Sequence, residues 1–239
     1  MRIAIIGAGI SGLSCAWQLK DKHDITIYES GNQVGGHSHT VDAEIDGKRY
    51  PVDIGFIVYN NKTYPHFINL LNQLQVPTQE APMGFSVMNE KTGLQYSSAM
   101  PGGLLAQPTN LLKPRFIKMV RDILRFMRES DAVIERADPR PLGQFLQEEK
   151  YSSAFIEDYL LPIGSAIWSA PLDVTAAFPV NQFLHFFKNH GLLSVNGNVQ
   201  WRTITGGSTQ YVKRLIAPMQ DRIRTGSAVT SVERTAEGV

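Results

Sequence analysis

Gly7, Gly9 and Gly12 stand in a G-x-G-x-x-G spacing, and Glu29 closes a short apolar run further along the chain. These are residue types that can hold a dinucleotide. Gly7 allows a tight turn, Gly9 lets backbone approach a pyrophosphate, and Gly12 lets a helix pack close on a strand; the helix N-terminus, with Ile10 and Ser11 in its first turn, faces the negative charge. Glu29 lies about 20 residues beyond the first glycine, where a carboxylate accepts hydrogen bonds from an adenosine ribose, with Ser30 beside it. A 2′-phosphorylated ribose would meet a second anion there with no arginine between, so an NADP-type ligand is not expected. The three glycines alone are a weak signal, because short glycine spacings arise by chance, and the elements around them must decide.

Those elements have the right order. Arg2–Ile6 is a short apolar run bounded by glycine, as expected of a buried parallel strand, and from Ile10 the apolar residues Leu13, Ala16, Trp17 and Leu19 follow a helical period. A second short β-like run, 25–28, ends at Glu29. Thr40–Ile45 and residues 48–52 flank Asp46-Gly47, a hairpin signal. A helix is expected over 65–75, and a second hairpin over 85–89 and 94–97 around Lys91-Thr92-Gly93. Beyond Pro114, Phe116, Met119, Val120, Ile123, Leu124 and Met127 recur at helical spacing, while Lys118, Arg121, Arg125 and Arg128 occupy another face. Such a basic amphipathic helix suits a solvated lobe, the favoured reading, or peripheral contact with an anionic membrane. Further helices over 141–149, 154–168 and 175–190 make residues 110–195 a mostly α insert.

Composition limits the partners. With 239 residues and 43% hydrophobic content the chain can bury a sizeable core, and 23 basic against 22 acidic residues leave a formal charge of +1, which gives no reason to expect nucleic acid. The single cysteine, Cys15, is expected to pack on a sheet from the helix after the glycines; with no disulfide framework possible, a reducing, cytoplasmic location is expected. The first apolar run stops at Gly7, too soon for a signal peptide, and no stretch approaches the roughly 20 apolar residues of a membrane span. His37 and His39 form an H-x-H pair, but no Cys, Asp or third His stands at a matching spacing, so no metal is expected. His185 and His190 do not share one helix face cleanly and are assigned no chemistry.

The stretch YESGNQVGGHSHT places a second glycine pair, Gly35-Gly36, shortly after Glu29. Here the chain resembles the flavin-containing amine oxidase and phytoene desaturase superfamily, and most of all a bacterial group of FAD/NAD-binding, amine-oxidase-like proteins. In that superfamily the adenosine carboxylate is followed by a loop ending in Gly-Gly, usually with Arg next, along the FAD pyrophosphate. His37 replaces that arginine, so backbone amides, Ser38 and the helix dipole must carry more of the anion binding. The resemblance further implies that VDIGFIVYNNKTYP passes close to the isoalloxazine, with Gly55 leaving room for the ring and Phe56 and Ile57 beside it. VQWRTITGGSTQYVKRL resembles the superfamily's strand, diglycine (Gly206, Gly207) and returning helix. RIRTGSAVTSVE resembles a strand whose backbone near Val229 hydrogen-bonds the adenine edge.

The resemblance covers nearly the whole chain and implies an α/β fold, a Rossmann-like FAD-binding domain (1–80 and 197–239) with a mostly α-helical substrate lobe (81–196) inserted. It implies FAD as cofactor, and an FAD-dependent oxidoreductase that removes a hydride equivalent from a C–N or C–C bond of a small amine or apolar molecule. Two alternatives stay open, a non-catalytic FAD- or nucleotide-binding fragment and, less favoured, an NAD-dependent dehydrogenase. Trp168, Phe183, Phe186 and Phe187 suit a pocket wall, although plain core is the favoured reading of each. No counterpart of the lysine or aromatic pair that many amine oxidases place around the flavin is recognisable, so no catalytic residue is named. Superfamily members continue beyond Val239 with the rest of the substrate sheet and a final FAD motif, so the sequence reads as the N-terminal portion of a flavoenzyme. The oligomeric state is left open.

Overall fold

The computed structural model describes residues 1–98, 103, 106–194, 199–236 and 238. In chain order the elements are β1 Arg2–Ile6, α1 Ile10–Leu19, β2 Asp24–Tyr28, β3 Thr40–Ile45, β4 Lys48–Asp53, β5 Tyr59–Asn60, α2 Pro65–Gln73, β6 Thr78–Glu80, β7 Ser86–Asn89 and β8 Leu94–Ser97. They continue as α3 Pro114–Glu135, α4 Leu142–Glu148, α5 Ser153–Phe155, α6 Leu161–Trp168, α7 Leu172–Ala176, α8 Val180–Asn189, β9 Trp201–Ile204, α9 Thr209–Ile216 and β10 Ile223–Arg224. The chain divides into two units, Met1–Ala81 with Gln200–Val239, and Pro82–Val199.

The first unit is a mixed α/β structure. β1 and β10 both pair in parallel with β2, so that Arg2 faces Asp24 and Ile6 faces Tyr28. Alternation along the strands turns Ile5, Ile25 and Ile27 into the core, where they meet Leu13 and Ala16 of α1 and Tyr211, Val212 and Leu215 of α9. Cys15 does not join them: it is exposed, because the stripe that α1 buries is set by Leu13 and Ala16, and residue 15 falls on another side of so short a helix. The expected packing of Cys15 is therefore corrected. β3 and β4 form an antiparallel hairpin whose turn residues Asp46 and Gly47 take φ of 53° and 72°, the left-handed pair that a two-residue loop between twisted strands requires. β9 lies between β5 and β6, antiparallel to both.

The second unit packs helices around aromatic side chains, with the β7–β8 hairpin beside them. Phe126 of α3, Phe145 of α4, Phe155 of α5 and Phe183 and Phe187 of α8 are buried in one cluster. Trp168 stacks on Phe178 at 5.0 Å and also meets Phe183 and Phe186.

The helix expected over 154–168 is not uniform, since α5 widens into a π-turn over Ile156–Leu160 before α6. Pro162 explains the change: it has no N–H to offer and its ring would crowd the Asp158 carbonyl one turn earlier. That carbonyl accepts instead from the Tyr96 hydroxyl at 2.6 Å. The segment expected as one helix over 175–190 is likewise two, because Pro179 stands between α7 and α8 and caps the latter. Among the described residues no helix is long and apolar enough to cross a membrane.

Candidate cofactor site

The site grows from the β1–α1 turn. The Gly7 amide donates to the Tyr28 carbonyl at 2.7 Å, which ties the end of β1 to the end of β2, and Gly7 takes φ of +92°, a conformation closed to most side chains. A Cβ on Gly12 would lie 2.0 Å from the Gly7 carbonyl oxygen, so only glycine lets α1 start this close to the strand. Gly9 is different, for a Cβ there would meet none of the described atoms within 4 Å. No side chain caps α1 among the described residues, and its first turn carries no acid, so its positive end faces whatever stands before it.

The second glycine pair is seated directly on this turn. Gly35 donates to the Ala8 carbonyl at 2.9 Å and bridges Gly9 in parallel, and a Cβ on Gly36 would lie 3.2 Å from the Gly9 Cα. The two loops enclose a cavity of about 510 Å³, lined by Gly7, Gly9, Ile10, Ser11, Gly12, Gly35, Gly36, His37 and Ser38 together with Phe56. Ten of the residues singled out in the sequence thus meet at one cavity. Its wall also contains Ile6, Tyr64, Phe67 and Tyr211, which the sequence reading missed. Phe67 packs edge-on against Phe56, Tyr59 and Tyr211, each with ring centroids 5.3 Å apart. The usable signal was aromatic spacing: Tyr64 and Phe67 are one turn apart at the start of α2, and Tyr211 follows the diglycine of α9.

Glu29 stands at the rim and does not line the cavity. Its Oε2 accepts the Ala8 amide proton at 2.7 Å and its Oε1 accepts the Gly31 amide proton at 2.8 Å. The Gly31 bond, followed by the Ala8 bond, holds its pKa below the ordinary value of 4.5. The carboxylate is therefore anionic near neutrality, and Oε2, with one bond made, keeps a further lone pair for a sugar hydroxyl. Ser30, exposed beside it, donates to Oε1 at 3.3 Å.

Ser38 is buried, and its hydroxyl is hydrogen-bonded to the Tyr211 hydroxyl. His37 is exposed. Its carbonyl accepts the Phe56 amide proton at 2.8 Å, and a Cβ on Gly55 would lie 2.2 Å from that same oxygen. Gly55 was expected to leave room for a flavin ring; the room it leaves is filled by the His37 backbone, and it is Phe56 that reaches the cavity. The sequence showed the glycine without its neighbour. Ile57 is also outside the cavity and exposed, its carbonyl accepting the Thr203 hydroxyl proton at 2.8 Å.

Val229 does not lie in a strand. β10 ends at Arg224, the Glu29 amide donates to the Arg224 carbonyl at 2.8 Å, and the Ser227 amide donates to the Glu29 carbonyl at 2.8 Å. The chain turns away at Thr225-Gly226, and no described strand pairs with the residues that follow, leaving Val229 exposed without regular structure.

Behind the loops, Asp53 acts as an anchor. It accepts from the Ser208 amide at 2.8 Å and from the Thr40 hydroxyl at 2.6 Å, while Thr40 and Thr209 exchange amide-to-hydroxyl bonds at 2.9 and 3.0 Å. The carboxylate thereby meets the N-terminus of α9, which carries Tyr211. Gly207 is needed at this crossing, because its Cβ would lie 2.3 Å from the Thr40 side chain.

A family model described as flavin containing amine oxidoreductase matches residues 10–239. The chain belongs to that family. FAD is its cofactor, and the bare backbone at Gly9, the open end of α1 and the anionic Glu29 fit an adenine dinucleotide. The bovine flavin-containing amine oxidase A is 24% identical over 249 residues, covering 99% of this chain and 45% of that protein. A 1-hydroxycarotenoid 3,4-desaturase of Flavobacterium sp. (strain P99-3) is 33% identical over 93 residues, 38% of this chain and 17% of that one. Wild-type putrescine oxidase bound to putrescine is similar in fold, with a TM-score of 0.65 at 19% identity over 95% of this chain and 51% of its own. The chain spans about half the length of the relatives that it matches along its whole extent.

Proposed function

We propose that this chain is the FAD-holding part of an oxidoreductase that removes a hydride equivalent from a C–N or C–C bond, and that its substrate is a small amine. The observation that carries the reading is the joining of the two glycine loops: Gly35-Gly36 rests on Gly9, so one cavity is walled by both. A nicotinamide-dependent dehydrogenase needs only the first loop, and the second is left unexplained under that reading. The choice of C–N over C–C rests on the extent of the likenesses, 99% of the chain for the amine oxidase against 38% for the desaturase.

Within this reading the residues divide the work. The α1 N-terminus and the amides of Gly9 to Ser11 hold the pyrophosphate, Glu29 takes the adenosine ribose, and Gly36 to Ser38 line the other side. Phe56, Phe67 and Tyr64 exclude water from the cavity. Bound FAD supplies the two-electron acceptor. Residues 1–80 and 197–239 are assigned to cofactor binding and 81–196 to the substrate lobe. A cytoplasmic location belongs to the same reading and rests on the single cysteine.

The test is the mass of the cofactor released by heating the purified protein. FAD is expected. Release of NAD alone, with no absorbance in the flavin bands, overturns the assignment.

A further inference from the structure

The outer side of α3 and of the turn before it does not look like an ordinary solvated surface. Leu111 and Leu112 end a 3-10 turn, Pro108–Leu112, and both are exposed, Leu112 by 83%. On α3, Ile117 and Leu124 are exposed as well. Residues 117, 121, 124 and 128 follow one another at helical steps of three and four, so Ile117, Arg121, Leu124 and Arg128 share one line, with Lys118 beside it.

The charges on this side are of one sign. Between residues 111 and 128 the only carboxylate is Asp122, and it is buried, accepting the Ser152 amide proton at 2.9 Å. Two cations of the helix serve the fold: Arg115 binds Asp158 and Glu157, and Arg125 binds Glu129. Lys118, Arg121 and Arg128 extend into solvent, the two arginine side chains each 75% exposed; Arg121 lies 3.9 Å from Asp122 and Arg128 3.4 Å from Glu129, pairs that hold the solvent-exposed guanidinium groups only weakly. A chain whose net charge is only +1 therefore gathers exposed positive charge among four exposed aliphatic side chains, over about 20 Å of helix.

We propose that the 111–128 face docks in the plane of an anionic lipid surface. Leu111, Leu112, Ile117 and Leu124 enter the acyl boundary, while the long stems of Lys118, Arg121 and Arg128 reach back to the headgroups. Charge complementarity selects this occupant, since a protein partner would have to supply both an apolar groove and several carboxylates. The proposal stands apart from the FAD reading and uses none of its residues.

Flotation of the purified protein with vesicles tests it, using phosphatidylcholine alone and phosphatidylcholine mixed with phosphatidylserine, in low and high salt. Binding to the mixed vesicles should exceed binding to phosphatidylcholine by roughly tenfold to a hundredfold for three cations at the surface, and should fall in high salt. Lys118→Glu with Arg121→Glu should abolish the phosphatidylserine dependence, and Leu112→Ser with Leu124→Ser should weaken binding with the charges intact. All four positions are exposed or solvent-facing, so circular dichroism and FAD content should stay unchanged. Failure to float with mixed vesicles in low salt overturns the proposal, as does flotation indifferent to both variants. A dimer that dissociates on Leu112→Ser with Leu124→Ser would assign the face to a second copy. Protection of 111–128 from hydrogen exchange in the protein without vesicles would show that the face is already covered by polypeptide; either result also overturns it.

Discussion

Glu29 Oε2 accepts the Ala8 amide proton at 2.7 Å, so the acid that closes β2 is fastened to the middle of the glycine turn. The same carboxylate holds Gly31 through its other oxygen. Glu29 thus sets the distance between the turn and the loop that leads to Gly35, besides offering an acceptor to a ribose. Removing it should affect the cofactor and the apoprotein by different amounts, which makes the two roles separable.

Glu29→Ala should weaken FAD binding while the fold is kept. The loss of hydrogen bonds to a charged acceptor costs on the order of 1.5 to 3 kcal/mol, roughly tenfold to a hundredfold in affinity. Fluorescence titration of the apoprotein with FAD measures it. An unchanged dissociation constant with native circular dichroism would leave Glu29 as a loop anchor only.

The pH dependence of the apoprotein reads the anchoring role. The folded-state pKa of Glu29 lies below 4.5 because the ionised form is hydrogen-bonded, so its stabilisation is complete above the unfolded value and is lost as pH falls through the folded one. Wild type should melt above Glu29→Gln at neutral pH, and the difference should shrink on acidification below about 4.5. A gap that stays constant into acid would mean that the charge of Glu29 does not contribute.

Three glycines should behave in two ways. Gly12→Ala and Gly55→Ala place a Cβ 2.0 and 2.2 Å from the carbonyl oxygens of Gly7 and His37, backbone atoms that cannot swing aside, and both should lower the melting temperature or prevent folding. Gly9→Ala places its Cβ in open space, with φ of −76° that alanine accepts. It should fold like wild type and lose FAD, because the methyl group occupies the approach to the pyrophosphate. Normal FAD affinity in Gly9→Ala would remove the turn from the cofactor site.

The contrast among these glycines shows where the sequence was legible. Gly7, Gly9 and Gly12 act within one strand-turn-helix unit, and local spacing sufficed to place them. Gly55 and Gly207 answer to residues far along the chain, His37 and Thr40, and spacing carries no record of such crossings. The two hairpins and α3 were readable from turn chemistry and period. The π-turn was not, although Pro162 was its cause, because proline marks a defect without saying how the backbone repairs it. Val229 was placed in a strand by the resemblance of RIRTGSAVTSVE to the superfamily's adenine-contacting strand, yet strand formation also needs a pairing partner. The aromatic wall was missed for the reason that Tyr64, Phe67 and Tyr211 come from two distant helices, and only packing brings them together.

Tyr211 and Ser38 should behave as one unit. Their hydroxyls are hydrogen-bonded at the edge of the cavity, both residues are buried, and Phe67 packs edge-on against the Tyr211 ring. Burial raises the Tyr211 pKa, so the phenol stays protonated through neutral pH and can serve as the donor. Tyr211→Phe keeps the ring and its packing but leaves the Ser38 hydroxyl without this partner, a change worth about 1 to 3 kcal/mol, or on the order of 2 to 12 °C in melting temperature for a chain of this size. Ser38→Ala should cost a similar amount by stranding the phenol. The double variant should be little worse than either single one, because the second substitution removes a group that the first has already left unpaired. FAD titration then separates support from direct contact. If Ser38 also meets the cofactor, Ser38→Ala should lose more FAD affinity than Tyr211→Phe at equal apoprotein stability. Additive losses in melting temperature would show that the two hydroxyls are not coupled, and equal FAD affinity in all four proteins would leave the pair as a packing element behind the site.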